Sequence, residues 1–499
     1  MKSVAMMKTM VYQFLRRGVG LMSFVAVNAA FAQTTVQNQP AERYSLKQCI
    51  EIALQNNLQI RQQQLNVQNN SLSLQQAKLN RYPNANLFAN QAFNGGYSID
   101  QASNEFVNQT FRSNNFQASS TLTIFNGFAL QNAVKQSKLS LEASQQNLFA
   151  TQNTISITVV QNYLNVLTYT EQLEIARRQV EASRSQEERT QKLVSAGTLA
   201  EADLYTIRAQ VANDQLAIVN AQNNVDLAKL ALLQAMNIPS GTPAPREVEV
   251  ERYQLDDPSV AAYPSTAQQV YETALQFMPD VKASDLQVRA DAMGVQVAKS
   301  RLYPTLSVNG SLNSVYSNTG FRRVVSALQE PRRTENFVIV DNNPYPVFST
   351  DPIFTAVPTT FGQQIRNNFN RSLVFSLNIP IFNYSRNRNL VTSAIITQKS
   401  SEITADNTRL TLRQNIETAY TNMLAASNRY QATQIQVESF AQAFRAAESR
   451  FNAGAFNSVD YNIAKTNLDK SRADLVQAKY DYIFRTKILD FYQNRPLTF

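Results

Sequence analysis

The sequence predicts a mainly α-helical protein with some β structure, built from two copies of one unit. Two observations lead to this fold class. Glycine makes up only 12 of the 499 residues, which is well below ordinary usage and favours long helices over loops. Two constant offsets also align the first half of the chain with the second, as in a protein with an internal repeat. Each copy is expected to contain an opening helix, two strands, a long helix, a sharp turn and another long helix.

The N-terminus has the pattern of a secretory signal peptide. Four basic residues in the first 17 positions precede an apolar run over 19–31, and this run ends in Ala30-Phe31-Ala32, a signal peptidase pattern. We therefore expect a signal peptide over 1–32 and an N-terminal extension over 33–44. Because the removed segment holds four Lys/Arg and no Asp/Glu, the net charge falls from +9 to +5. This weak charge argues against nucleic-acid binding.

The amino-acid composition excludes several kinds of chemistry. The chain has no His, one Cys and no Trp, so it cannot form His-based catalytic triads, Cys/His metal clusters or an intrachain disulfide. Cys49 lies in a segment without the small residues of a lipidation motif, and is expected to be a buried apolar side chain. We therefore expect no catalytic residue, no metal site and no cofactor.

The alignment of the two copies changes its offset once. Equivalent residues of the two copies are 221 positions apart up to the Tyr-Pro pairs at 82–83 and 303–304. From Ile124 and Ile381 onward they are 257 positions apart. The second copy is thus longer, and its extra residues lie between Pro304 and Ile381. The predicted domains are repeat 1 over 45–238, a Pro-rich linker over 239–265, repeat 2 over 266–495 and a tail over 496–499.

Each copy begins with a helix and continues with strands. The opening helix, about 45–80 in the first copy, should end at the Tyr-Pro pair because proline disfavours helical geometry in the preceding residue. Segments of alternating apolar and polar residues follow. They lie at about 84–99, 114–126, 305–317 and 372–382. Such alternation is typical of transmembrane barrel strands, but also of half-buried soluble sheets. The stretch 318–371 carries arginines and prolines, and by topology it should be an extracellular loop.

Long helices follow the strands in both copies. No proline interrupts 127–238 or 384–495, and apolar residues from Leu204 to Ala235 recur at alternating spacings of three and four, with Asp214 among these positions. This heptad pattern predicts packing against neighbouring helices. The expected helix ends are 195 and 236 in the first copy and 452 and 494 in the second, with turns at 196–199 and 453–456. The two descending helices would each be roughly 100 Å long at 1.5 Å per residue.

These features together resemble the TolC family of outer-membrane efflux channels over essentially all of 44–495. The motifs that carry the resemblance are Leu46-x-x-x-Ile50-x-x-Ala53-Leu54-x-x-Asn57, the strand entries Ala77–Pro83 and Ala298–Pro304, the strand exits Ile124–Gly127 and Pro380–Asn383, and the turns Ala196-Gly197-Thr198-Leu199-x-x-x-Asp203-Leu204 and Ala453-Gly454-Ala455-Phe456-x-x-x-Asp460-Tyr461. The resemblance implies a homotrimer with a 12-stranded outer-membrane β-barrel, four strands per chain, continued by a periplasmic α-helical coiled-coil barrel. Four strands with open edges also cannot remain unpaired in lipid.

The resemblance implies a passive exit duct rather than an enzyme. It would lie in the outer membrane of a Gram-negative bacterium, in contact with outer-membrane lipid, with most of its mass in the periplasm. Its partners would be a periplasmic adaptor (membrane fusion) protein and an inner-membrane transporter of the RND, ABC or MFS type. Type I secretion is one use of such ducts, and the sequence does not name the cargo.

The two turns are the candidate functional site. The resemblance assigns adaptor contact to Ala196, Gly197, Thr198, Ala453, Gly454 and Ala455. The glycines suit left-handed backbone, so they could equally be plain helix terminators. Asp203 and Asp460 would form carboxylate rings at the periplasmic gate, or could be simple helix caps. The family's Arg after the second glycine and its further Asp are replaced by Phe456 and Ile463. We therefore expect a more apolar constriction, with Phe451 and Phe456 as gate candidates.

Two alternatives remain from other functional classes. A periplasmic coiled-coil scaffold without a pore would explain the heptads and would be soluble without detergent, although the apolar strand residues argue against it. A secreted enzyme would need a pair of carboxylates in a cleft, and the sequence shows no such pair.

Overall fold

The computed structural model describes residues 43–99, 105–108, 110–238, 249–251, 258, 263–453 and 455–495. The expected signal peptide, residues 33–42 of the extension, Gly454 and the tail lie outside these ranges. Much of the expected linker does so too.

Eight helices of the described chain fall into two matching sets. The first set is α1 (Leu46–Asn56), α2 (Leu58–Leu79), α3 (Ala129–Ser195) and α4 (Glu201–Met236). The second set is α5 (Ala267–Phe277), α6 (Pro279–Ser300), α8 (Arg386–Asn452) and α9 (Ser458–Tyr492). The helices α3 and α8 have 67 residues each, which corresponds to about 100 Å. No helix in the described part of the chain is both long and apolar enough to span a membrane.

The opening helix of each repeat is divided in two, which the sequence analysis did not predict. Asn57 has extended backbone (φ −64°, ψ 126°), and its side chain accepts hydrogen bonds from the backbone N–H groups of Gln59 and Ile60. Met278, at the equivalent place in the second repeat, has the same conformation and precedes Pro279. An asparagine that caps the following helix and a proline that starts one therefore produce the same break.

Four strands form one antiparallel sheet. They are β2 (Asn86–Asn94), β5 (Phe111–Phe125), β7 (Thr305–Ser317) and β12 (Asn370–Asn378). Their order is β12-β7-β5-β2, so strands from both repeats lie side by side at the centre. The edges β12 and β2 each have one side without a partner strand in the described chain.

The two faces of this sheet differ in chemistry. One row across it reads Leu87, Ala118, Leu312 and Arg371, apolar except at β12, and the adjacent row reads Asn86, Ser119, Ser311 and Ser372. On the polar face, Ser311 and Ser372 are hydrogen-bonded at 2.8 Å, and Thr121 Oγ1 donates to Asn309 Oδ1 at 2.8 Å. On the apolar face, Leu87, Leu373 and Phe375 are each at least 65% exposed. A large exposed apolar surface of this kind marks a protein or membrane contact.

The segment 318–371 is structured, contrary to the loop that its prolines and arginines predicted. It contains β8 (Phe321–Leu328), β9 (Arg332–Val340), β10 (Asn343–Ser349), β11 (Pro352–Pro358) and the short helix α7 (Phe361–Asn367). The strands pair as β8 with β11 and β9 with β10. Four of its five prolines lie in β10 and β11, at one side of a two-stranded ribbon, where a missing N–H is tolerated.

Short strands also join the end of the predicted N-terminal extension to the linker. β1 (Arg43–Tyr44) pairs in parallel with β6 (Glu249–Val250), and Arg43 forms an ion pair with Glu249 at 3.0 Å. The described part of the linker therefore contains a strand. A further small hairpin, β3 (Tyr97–Ile99) with β4 (Phe106–Asn108), follows β2.

The core consists of separate apolar clusters between helices. One cluster joins α1, α3 and α4 around Tyr163 and Leu232, and a second joins α5, α8 and α9 around Ile416 and Leu489. A third, smaller cluster lies beside the helix turns and contains residues of both repeats. The helices thus bury apolar stripes on neighbouring helices, as heptad patterning requires.

Candidate functional site at the helix turns

The first turn is a glycine-terminated helix end. Gly197 has a positive φ of 76°, and its N–H donates to the carbonyl of Val194 at 2.9 Å. The N–H of Thr198 donates to the carbonyl of Leu193 at 3.0 Å, as does its hydroxyl at 2.8 Å. This Schellman arrangement satisfies carbonyls that a helix end otherwise leaves unpaired. A Cβ at Gly197 would meet no atom within 4 Å, so glycine is required there by the backbone and not by crowding.

The second turn repeats this bonding. The N–H of Ala455 donates to the carbonyl of Arg450 at 3.0 Å, the equivalent of the bond from Thr198 to Leu193. Ala196, Thr198, Ala453 and Ala455 are all exposed. Four of the six expected contact residues thus present small side chains at the surface, and Gly197 is exposed beside them. The sixth, Gly454, lies outside the described residues.

The two aspartates lie in the first turns of α4 and α9. Asp203 donates its backbone N–H to the carbonyl of Ala200 at 3.1 Å and is half-buried. Asp460 donates its N–H to Asn457 Oδ1 at 2.7 Å, and its carboxylate accepts a bond from Asn457 Nδ2 at 2.9 Å. Asp460 therefore takes part in capping its own helix, and both carboxylates face the favourable end of a helix dipole.

The aromatic gate candidates belong to the third apolar cluster, hereafter the tip cluster, which consists of Ile207, Phe451 and Tyr461 with Leu199, Phe444 and Phe456 at its rim. Phe451 is only 2% exposed and stacks on Tyr461 with ring centroids 5.0 Å apart. Burial raises the pKa of the Tyr461 hydroxyl to about 12. Phe451 of α8 is thus enclosed between α4 and α9 of one chain.

A buried ionic network that the sequence did not predict lies further along the same helices. Lys465 Nζ of α9 donates to Asp214 Oδ2 of α4 at 2.9 Å and to Asp469 Oδ2 at 2.6 Å. Asp214 also accepts a short bond from the Ser183 hydroxyl of α3 and a bond from Gln210 Nε2 at 2.8 Å. The network, hereafter the Lys465 network, therefore joins α3 and α4 of the first repeat to α9 of the second.

The Lys465 network carries more negative than positive charge. Lys465 and Asp214 are 4% and 7% exposed, so one ammonium faces two carboxylates with little access to water. Burial raises the pKa of the Asp469 carboxyl above its ordinary value, Lys465 and Arg472 oppose the shift, and Asp214 adds to it. In the sequence, Asp214 was the residue that could have indicated this network, because a charged residue at an apolar position of a heptad pattern needs a buried partner.

No group of three or more carboxylate or thiol side chains in the described ranges is arranged to hold a metal ion. The site is thus a pair of exposed turns, followed along the helices by an apolar layer and then an ionic layer. Such an arrangement can hold two helical hairpins together and can present small residues to a partner.

Comparisons with known proteins identify relatives of this arrangement. A family model described as "Outer membrane efflux protein" matches residues 49–237 and 270–486. A search of curated proteins found no match.

Solved structures share the fold at low sequence identity. The outer membrane protein VceC of Vibrio cholerae is 15% identical with a TM-score of 0.70, and the alignment covers 91% of this chain and 97% of VceC. The CmeC outer membrane channel of Campylobacter jejuni is 16% identical with a TM-score of 0.67, over 89% of this chain and 84% of CmeC. The MtrE outer membrane channel of Neisseria gonorrhoeae, solved in its open state, is 16% identical with a TM-score of 0.66, over 90% of this chain and 88% of MtrE.

Proposed function

This chain belongs to the outer membrane efflux protein family, and on that premise we propose that its two helix turns form the docking and gating end of a trimeric export duct. The protein is an outer-membrane channel of a tripartite export system, with a large helical part in the periplasm. The family is one of channels rather than enzymes, and a pore-free scaffold is not favoured.

The four-stranded sheet is the observation that carries the proposal. It has an apolar face, a polar face and two edge strands that are each unpaired on one side within the described chain. In lipid, an unpaired edge leaves N–H and C=O groups without partners, at a cost of several kcal/mol per group. Three copies, each joining its β12 to the β2 of the next, would close the edges and turn the polar faces toward a common lumen.

The exposed turns are the proposed adaptor contacts. Ala196, Thr198, Ala453 and Ala455 would allow a partner helix to approach closely, and the two glycine positions would shape the ends of the hairpins. We expect the partners to be a periplasmic adaptor and, through it, an inner-membrane transporter of the RND, ABC or MFS type.

The proposed gate lies in the layers behind the turns. The tip cluster and the Lys465 network both connect the first-repeat hairpin to helices of the second repeat, so both must separate if one hairpin moves against the other. Asp203 and Asp460 would each occur three times around the opening, where repeated carboxylates favour cations. Phe451 and Phe456 would then act by holding the hairpins together.

The test of the duct is the mass and shape of the protein extracted from membranes in detergent. Electron microscopy and native mass measurement on one sample should give a three-fold particle of three mature chains, with a helical tube on the order of 100 Å beyond the micelle. A monomer that stays in solution without detergent would contradict the duct and favour the scaffold.

A further inference from the structure

The segment between β7 and β12 is one long two-stranded ribbon, residues 321–358, which we name the outer ribbon. Its halves, β8 with β11 and β9 with β10, are linked by a hydrogen bond from the Gln329 N–H to the Asp351 carbonyl at 2.9 Å. At the tip, Asp341 and Asn342 both have positive φ angles, of 50° and 68°, as in the tight turns that match strand twist. The outer ribbon is therefore a defined hairpin.

The base of the outer ribbon is fixed to the sheet. The buried Gln364 side chain accepts a bond from the Ser317 N–H at 2.9 Å, and donates to the carbonyls of Ser317 at 2.9 Å and Thr359 at 3.1 Å. The centroid of the Phe361 ring lies 5.1 Å from that of the Tyr316 ring and 6.2 Å from that of the Phe116 ring. These contacts set the direction in which the outer ribbon leaves the sheet.

Both faces of the outer ribbon are apolar and exposed at its tip. Near its tip, Val338 pairs with Tyr345, and the neighbouring Ile339 pairs with Pro344. Because consecutive residues of a strand point to opposite faces, neither face is polar there. The exposed apolar side chains of the outer ribbon include Val325, Phe337, Ile339, Tyr345, Phe348 and Phe354. An exposed apolar surface on both faces of the ribbon tip marks a contact with a partner.

Prolines restrict how that partner can bind. They stand at Pro344 and Pro346 of β10 and at Pro352 and Pro358 of β11. A proline has no N–H to donate, so this side of the outer ribbon is a poor template for an added strand. A partner on this side of the outer ribbon would therefore bind by side-chain packing and not by backbone hydrogen bonds.

The sheet topology indicates which surface lies beside the outer ribbon. The β3–β4 hairpin and the outer ribbon leave the same end of the antiparallel sheet, because β2 ends and β12 begins there. When β12 of one copy joins β2 of the next, the neighbour's β3–β4 hairpin emerges next to the strand that follows the outer ribbon. That hairpin carries a stacked pair, Tyr97 and Phe106, with centroids 5.6 Å apart and both rings exposed.

One face of the outer ribbon is already turned toward the hairpin of its own chain. Arg323 of β8 forms an ion pair with Glu105, beside β4, at 2.9 Å, and Ala356 is the partner of Arg323 across the ribbon. Val357, the next residue of β11, points to the opposite face together with its cross-strand partner Arg322. Val357 is therefore on the face that is left for a neighbouring chain.

We propose that the outer ribbon is an intersubunit clasp, in which the face that carries Val357 packs on the Tyr97–Phe106 pair of a second copy of this chain. The clasp rests on the trimeric channel proposed above. In a ring of three, each ribbon would lie between the β3–β4 hairpin of its own chain and that of its neighbour, and would tie the three subunits together at one end of the barrel.

Cysteine cross-linking tests the clasp in the full-length protein. The variant V357C/Y97C is treated in the membrane with a short bismaleimide and then separated under denaturing conditions. Cys49 does not compete, because it is buried and burial raises the pKa of its thiol to about 12. The expected result is conversion of monomer to covalent dimer and trimer. The matched control, A356C/Y97C, places the ribbon cysteine on the face toward its own hairpin and should remain monomeric.

Native mass measured on the same preparation separates the two proposals. If the native mass is that of a trimer but the cross-linked V357C/Y97C variant migrates as a monomer on the denaturing gel, the clasp is overturned and the channel stands. A particle that is not trimeric would overturn both. If V357C alone reacts freely with a water-soluble maleimide in the intact trimer, the face is open to water and the clasp is wrong. If that labelling is blocked only after reconstitution into lipid, and no cross-link forms, lipid and not a second copy covers the face.

Discussion

Lys465 is the only cation within hydrogen-bond reach of Asp214 in the described chain, and it holds the carboxylates of Asp214 and Asp469 together. Lys465→Met would leave the buried Asp214 and the half-buried Asp469 without their ammonium. Breaking a buried ion pair in this way typically costs about 3–5 kcal/mol. We expect faster amide hydrogen exchange in the helices around residues 214 and 465. Arg208, at the equivalent repeat position, pairs with Glu187 at 3.1 Å at the surface, where a pair contributes about 0–1 kcal/mol. Arg208→Met is therefore the matched control, and an equal effect in both variants would contradict the role of the Lys465 network.

The charge excess of this network predicts a pH dependence. The raised pKa of Asp469 means that the folded state holds this proton more tightly than the unfolded state does. Its contribution to stability is thus present at low pH and lost as the pH rises through the raised pKa. Exchange protection in α4 and α9 should increase on mild acidification, and Asp469→Asn should remove that increase. An unchanged pH profile in the variant would argue against Asp469 as the titrating group.

Two glycines with left-handed backbone allow the cost of backbone strain to be distinguished from the cost of steric crowding when a Cβ is added. Gly127 and Gly197 have φ angles of 65° and 76°, but a Cβ at Gly127 would lie 2.7 Å from the carbonyl oxygen of Ser300, whereas one at Gly197 would meet nothing. Gly197→Ala should cost about 1–2 kcal/mol from the backbone alone. Gly127→Ala should cost more, because the Ser300 carbonyl must also move. Thermal unfolding in detergent compares them, and Gly362→Ala, which adds a Cβ in open space at an ordinary φ, should be nearly neutral.

At the scale of elements, the hairpins meet through the tip cluster. Phe451→Ala would leave a cavity beside Tyr461 and Ile207, at a cost of about 3–5 kcal/mol. If the two hairpins separate when the duct opens, this loss should favour the open state and increase single-channel conductance in a lipid bilayer. Phe456, at the rim of the cluster, provides the control, since its truncation to alanine removes less buried contact. A Phe451 variant with wild-type conductance would contradict the gating role of the cluster.

At the scale of the whole molecule, the sheet should face lipid on one side and water on the other. Leu373 and Val374 are adjacent in β12 and point to opposite faces. An arginine on the lipid face of a barrel costs about 2–4 kcal/mol near the bilayer midplane. Leu373→Arg should therefore reduce the yield of trimers in the outer-membrane fraction, while Val374→Arg, facing the lumen, should assemble normally. Equal losses would contradict the assignment of the two faces.

Patterns that are local along the chain were readable from the sequence. The repeat, the heptads, the alternating strand residues and the glycine turn at Gly197 each depend on periodicity or on the dihedral preference of one residue. They indicated the fold class, and the motifs built on them indicated the family that the comparisons then showed. The division of the opening helix at Asn57 was within reach, because its counterpart Met278 precedes a proline.

Contacts between distant residues were decided only by the tertiary structure. Lys465 and Asp214 are 251 positions apart, and no periodic pattern pairs a lysine on one helix with an aspartate on another. From the sequence, Phe451 is only an apolar residue near a turn, and the structure shows that it is buried against Tyr461. In the same way, the arginines and prolines of 318–371 were typical of a loop, and only cross-strand pairing showed a ribbon. The sequence by itself determined which elements form, because secondary structure follows local spacing. The tertiary structure decided which side chains are buried together, because burial depends on the whole chain.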